Sequence, residues 1–89
     1  MRAVLTVIGK DTVGILSKVS AVCAKRNVNI SEVSQSVLQD MFCMIMICDI
    51  SGISVSFDAF ADEMSELGKA NSLSIHVMHE DIFNAMHTI

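Results

Sequence analysis

Two short stretches of the chain carry residue types that could hold a small charged molecule. They are Gly9-Lys10-Asp11-Thr12-Val13-Gly14, leading into Ile15 and Leu16, and Asn27-Val28-Asn29-Ile30, one helix further on. The first reads as a loop entering a helix. The open amides of a helix's first turn, together with the helix dipole, attract a carboxylate. Gly14 has no Cβ, so a ligand or another backbone can come close. Asp11 could hold an ammonium group, and Asn29 offers donors and an acceptor together. An amino acid needs both kinds of contact. The same residues also have purely structural uses. Asp11 and Thr12 are competent N-caps, Gly14 would permit tight helix–strand packing, and Asn29 could simply close a turn. The residues by themselves leave both readings open.

Other chemistry-bearing residues do not converge. His76 and His79 lie three apart on an expected strand, so their side chains point to opposite faces and are not expected to share a metal. Both, and His87, read as structural or solvent-facing. Cys23, Cys43 and Cys48 fall in apolar stripes, where a free thiol behaves as a small buried hydrophobe. Their odd number and the lack of a C-x-x-C motif argue against a disulfide framework and for a reducing, cytoplasmic compartment. Catalysis needs a nucleophile, a base and an orienting group in one place. No such set is found, so neither enzymatic activity nor a cofactor nor a metal is expected.

The elements that must position these residues follow from periodicity. Arg2 to Ile8 is a short apolar run ended by Gly9, a buried strand. Over Val13 to Arg26 the apolar positions Ile15, Leu16, Val19, Val22 and Cys23 form a helical stripe. Lys25 and Arg26 suit the negative end of its dipole, and Asn27 can adopt the left-handed C′ conformation. Val28 to Leu38 reads as a strand with a bulge near Ser31-Glu32-Val33. Gln39-Asp40 turns a hairpin into Met41 to Ile50, a strand apolar on both faces. Ser54 or Ser56 caps a second helix with the stripe Phe57, Phe60, Ala61, Met64 and Leu67, whose acidic side reads as a solvated face. The segment from Gly68 to Asn71 ends it, Leu73 to Glu80 is the last strand, and Asp81 to His87 suits a short terminal helix. The predicted fold is α+β, a ferredoxin-like β-α-β-β-α-β domain over residues 1–89, with a four-stranded antiparallel sheet and two helices on one face. The other face would be bare, and the doubly apolar strand requires a cover there that the terminal helix is too short to supply alone.

Composition agrees. With 89 residues, 52% of them hydrophobic, and a mean hydropathy of +0.54, the chain holds more apolar material than so small a domain readily hides. A membrane span is not the outlet, because the longest apolar run, Met41 to Cys48, falls far short of roughly 20 residues. The start of the chain imitates a signal peptide only weakly and reads better as a strand. A partner subunit is the expected cover, and a homodimer is the economical form of it. Six basic residues against ten acidic ones give a net charge of −4, and Trp and Tyr are absent. That excludes the basic, aromatic surface a nucleic-acid binder uses.

The topology serves many functions, and the first loop separates them. A phosphate-binding enzyme of the acylphosphatase kind would have arginine there, where this chain has only Lys10. A metallochaperone would have paired cysteines. An RNA-recognition domain would show aromatics on its central strands, which supply only Phe42. Val7-Ile8-Gly9-Lys10-Asp11-Thr12-Val13-Gly14-Ile15-Leu16, followed one helix later by Asn27-Val28-Asn29-Ile30, resembles the ACT domain family. The resemblance extends over the whole chain and is nearest to small stand-alone ACT proteins, whose pattern includes an ending like Glu80 to His87. It implies pairing of domains through sheets or helices and an amino acid or similar ligand at the interface. The implied ligand positions are Asp11, Thr12, Val13, Gly14 and Ile15 on one subunit, and Asn29 and Ile30 from the same subunit or the other. Many ACT domains have proline where this chain has Val13, which makes this loop less rigid. The expected function is a non-catalytic regulatory homodimer that binds a small ligand and acts in trans on a metabolic enzyme or regulator. The alternative is a protein-interaction subunit with no small ligand.

Overall fold

A computed structural model describes residues 1–10 and 14–87, and of Met86 and His87 it describes only the backbone. Asp11, Thr12 and Val13 lie outside the described residues. The element order is β1 (Arg2–Gly9), α1 (Ile15–Lys25), β2 (Asn29–Leu38), β3 (Met41–Asp49), α2 (Phe57–Ala70), β4 (Ser74–His79) and α3 (Glu80–His87). The four strands form one sheet in the order β2-β3-β1-β4, with every neighbouring pair antiparallel. This is the expected ferredoxin-like fold.

Alternation along the strands sorts side chains between the two faces. Leu5 and Val7 of β1, with Met44 and Met46 of β3, point to one face and are at most 1% exposed. They join Ile15, Val19 and Cys23 of α1 and Phe60 and Met64 of α2 in a single core. Leu16, expected in the buried stripe of α1, is instead 39% exposed, because the helix meets the sheet along the narrower row Ile15, Val19, Cys23. The helix ends follow local chemistry. Asn27 takes φ 60° after α1, and its Nδ2 donates to the Gly52 carbonyl at 2.7 Å. Of the two expected caps for α2, Ser56 does the capping, its Oγ accepting from the Ala59 amide at 3.1 Å. Gln39 and Asp40, at φ 48° and 71°, turn the hairpin. The register shifts between Ile30 and Glu32, where the bulge was expected.

The other sheet face is only partly covered. Val4 is 1% exposed but stands apart from the main core. It lies in register between Ile47 and Met78, on the face opposite Leu5, and α3 contacts both β1 and β4. A two-pronged ion pair anchors that helix, with Arg2 Nε 2.6 Å from Glu80 Oε2. Further along the same face Ile8 and Ile45 stay 39% and 40% exposed, and Leu38 63%. β2 is barer still. Ser31 to Leu38 are exposed without exception, and Val37, on the helix side by register, is 65% exposed.

Candidate functional site

The first turn of α1 is reached through Gly14. It occupies the N-cap position at φ 71° and ψ 7°, a conformation that costs most L-residues about 1 kcal/mol or more. Gly14 holds the N-cap position, and Asp11 and Thr12, the caps expected from the sequence, lie outside the described residues. A Cβ built on Gly14 would meet nothing within 4 Å. Tight helix–strand packing is thus not why glycine stands here. The backbone turn requires it, and no described side chain crowds it. The helical ladder begins with the Lys18 amide donating to the Gly14 carbonyl at 3.0 Å. The amides of Ile15, Leu16 and Ser17 precede that bond and have no acceptor within the helix. Glycine itself has no side chain with which to cap them.

The second half of the expected site is elsewhere. Asn29 is exposed at the start of β2, in register with Asp49, which in turn pairs with Arg2. Gly9 pairs with Phe42 at the other end of the sheet. Seven residue steps along β1 separate the two ends, roughly 23 Å at about 3.3 Å per residue. One chain therefore does not bring Asn29 and Gly14 together. Ile15 is 3% exposed within the core, and Ile30, in register with Cys48, packs against it. Both side chains are spent on packing, which leaves their backbone groups for any ligand. Beside Asn29 the Asp49 carboxylate accepts from the Ser51 hydroxyl at 2.6 Å and from the Ser51 amide at 2.9 Å. Those bonds hold its pKa below the ordinary carboxylate range.

The two histidines of β4 stay apart in space. His76 is exposed on the open face, whereas His79 stacks on Phe57 with ring centroids 4.1 Å apart. No cluster of metal-ligating side chains occurs among the described residues. Cys23 and Cys48 are buried and free. Interaction between the two neighbouring thiols, together with burial, pushes Cys23 far above the usual thiol pKa, while the same interaction holds Cys48 below it. No helix among the described residues is long and apolar enough to cross a membrane.

One feature of this end of the molecule was not legible in the sequence. A hollow of about 500 Å³ opens where β1 ends, walled by Ile8, Met41 and Leu73. Its residues come from three separate segments, and only Lys10 among them stood out beforehand.

The family model described as ACT domain matches residues 2–78, most of the chain. The chain belongs to the ACT family. A UPF0237 protein of Listeria innocua is 49% identical to this ACT chain over 89 residues, the whole of both sequences. Among solved structures, an ACT domain protein from Streptococcus pneumoniae superposes with a TM-score of 0.82 at 30% identity, over 100% of this chain and 97% of that one. A putative glycine cleavage system transcriptional repressor shares the fold at TM-score 0.67 and 19% identity, over 85% of this chain and 43% of its own. The ACT fold thus occurs both in chains of this length and within larger ones.

Proposed function

We propose that this ACT chain is a non-catalytic regulatory protein that binds an amino acid or similar small ligand between two copies of itself and acts in trans on a metabolic enzyme or regulator. The observation that carries it is Gly14, which stands at the N-cap of α1 with no described atom within 4 Å of where a Cβ would be. The ligand's carboxylate meets the amides of Ile15 and Leu16, and Asp11, Thr12 and Val13 are the further ligand residues that the sequence suggests. Its amino group needs a polar partner, and Asn29 with the backbone of Ile30 supplies one.

Because Asn29 is at the far end of the sheet, only a second copy can deliver it. β2 is the sheet edge on the α1 side, ten residues long and exposed on both faces. Such an edge exposes unpaired backbone groups and invites another strand. Antiparallel pairing of two β2 strands about a two-fold axis inverts the second copy. Its Asn29 then arrives at the end of the sheet from which α1 begins. The homodimer and the ligand site are in this way one arrangement, and the apolar remainder of the open face is left for the regulated partner.

The test is a thermal-shift panel of the twenty amino acids at millimolar concentration on the wild-type chain, Gly14→Ala and Asn29→Ala. At least one amino acid should raise the wild-type Tm by several degrees, since a ligand at about 100 times its Kd adds about 2.7 kcal/mol. Both variants should lose most of that shift. A silent panel overturns ligand sensing. Together with a stoichiometric protein partner recovered from cells, it would favour an interaction subunit without a small ligand, a reading consistent with the long bare edge of β2.

A further inference from the structure

The hollow beyond β1 shares no residue with the proposed amino-acid site and has its own chemistry. Its apolar wall is Ile8 from β1, Met41 from β3 and Leu73 from the turn between α2 and β4. Gly9 forms part of the lining because Leu73 lies across it. A Cβ on Gly9 would stand 2.2 Å from Leu73 Cδ2, so glycine lets that side chain fold down and shape the wall. The volume, about 500 Å³, falls in the range of small-molecule sites, which are mostly apolar with a few polar groups at the margin. Here the margin is Lys10, Asn71, Ser72 and Ser74.

The charge around this hollow has one sign. Lys10 is exposed and forms no ion pair with a described residue. A second ammonium stands behind the rim, where Lys18 Nζ donates to Asn71 Oδ1 at 2.7 Å. That bond, and the one from Asn71 Nδ2 to the Leu67 carbonyl at 2.9 Å, hold the asparagine in place. Lys18 is likewise without an ion-pair partner among the described residues. No aspartate or glutamate, Asp40 next to Met41 included, is among the described lining residues. In a chain of net charge −4, two lysines without an ion-pair partner among the described residues, beside an apolar hollow with no described lining carboxylate, form a local inversion of sign.

We infer that this hollow is a second ligand site, selective for a small carboxylate with an apolar body, whose chain lies against Ile8, Met41 and Leu73 and whose charge meets Lys10. The Ser74 hydroxyl at the margin donates to the same carboxylate. With no acid among the described lining residues to receive an ammonium, the site favours acids that lack an amino group, such as straight-chain carboxylates or branched 2-oxo acids, over the amino acids themselves.

Three probes with one body and different heads decide it: hexanoate, hexylammonium and hexanol, titrated into the full chain and followed by amide and methyl NMR shifts. Hexanoate should perturb Ile8, Gly9, Met41, Leu73 and Ser74 with saturation at millimolar concentration, and bind at least threefold more tightly than hexanol. Hexylammonium should not saturate. Lys10→Gln should weaken hexanoate about three- to fivefold, the scale of one exposed charge pair, and Lys10→Arg should restore it. Gly14→Ala and Asn29→Ala, which disable the proposed amino-acid site, should leave hexanoate binding intact, so the two sites fail separately. Equal binding of the three probes, an unchanged affinity in Lys10→Gln, or shifts at these residues that follow protein concentration alone would each overturn the inference. The last would mean that a second copy fills the hollow.

Discussion

Glycines at positions 14 and 68 look alike in a sequence and are held by opposite constraints. Gly14 has open space around it and a left-handed backbone, whereas Gly68 lies inside α2 with no room. A Cβ on Gly68 would stand 2.8 Å from the Leu73 carbonyl oxygen and 3.2 Å from Ile75 Cγ1. The carbonyl is backbone, fixed further by the Leu73 amide donating to the Gly68 carbonyl at 2.7 Å, so it cannot step aside. Alanine in a helix interior ordinarily gains about 1 kcal/mol over glycine. Gly68→Ala should nevertheless destabilise, by about 1–3 kcal/mol, because overpacking outweighs propensity. Gly14→Ala should cost about 1–2 kcal/mol through backbone conformation alone, with no packing defect. Urea denaturation of the two variants checks both values. A stabilised Gly68→Ala would show that α2 and β4 are packed less tightly than described.

At the scale of elements, the two helices of the core face are tied by one ion pair near the end of α1. Arg26 Nε stands 2.7 Å from Glu63 Oε1 and its Nη2 3.2 Å from Oε2, a two-pronged contact with both side chains under one-third exposed. The guanidinium holds the Glu63 carboxyl below its ordinary pKa. A carboxyl with a depressed folded-state pKa stabilises the fold above the ordinary value, about 4.3, and loses that contribution as pH falls through the folded value. Wild type should therefore melt above Glu63→Gln at pH 7, and the gap should close as pH is lowered towards 3. Asp49 and Glu80 are depressed too, by Ser51 and Arg2 respectively, so the variant should keep part of its acid sensitivity. Calorimetry across that range checks the difference. A gap that stays constant with pH would assign the effect of Glu63 to packing instead. The stripes of α1 and α2, Leu16 apart, the bulge in β2 and a serine cap on α2, though not which of Ser54 and Ser56, were legible, because each is set by neighbours within a turn or two of chain.

The whole molecule measures 35 × 34 × 19 Å, the thickness of one sheet and one helix layer. A slab of two layers has one sheet face to spare, and α3 shields only its Val4 end. β2 extends past the cover of α1 and is bare on both faces. The proposed pairing of two β2 edges would bury Val37, 65% exposed in the single chain, whereas Ile45 sits on the open face of β3 rather than on that edge. Val37→Lys should accordingly convert a particle of about twice 9.7 kDa to one of 9.7 kDa, and Ile45→Lys should leave it dimeric. Light scattering at micromolar concentration measures both. A dimer lost with Ile45→Lys but kept with Val37→Lys would place the contact face to face and separate Asn29 from Gly14 for good.

Which segments are strands, which are helices, and that they add to an ACT-type sandwich followed from hydrophobic periodicity, glycine breaks and turn residues, all of them local signals. The excess of apolar residues also announced a sheet face that the chain's own helices do not fully cover. What only the tertiary structure decided is how far apart things lie. Asn29 and Gly14 are one helix apart in the chain but at opposite ends of the sheet, because a helix antiparallel to the strand before it carries the chain back to where that strand began. Conversely, Lys10, Met41 and Leu73 are distant in the chain and share one hollow, because the ends of β1, β3 and α2 meet at one edge of the slab. Periodicity records which face of its own element a residue occupies. It does not record which end of the molecule that element reaches.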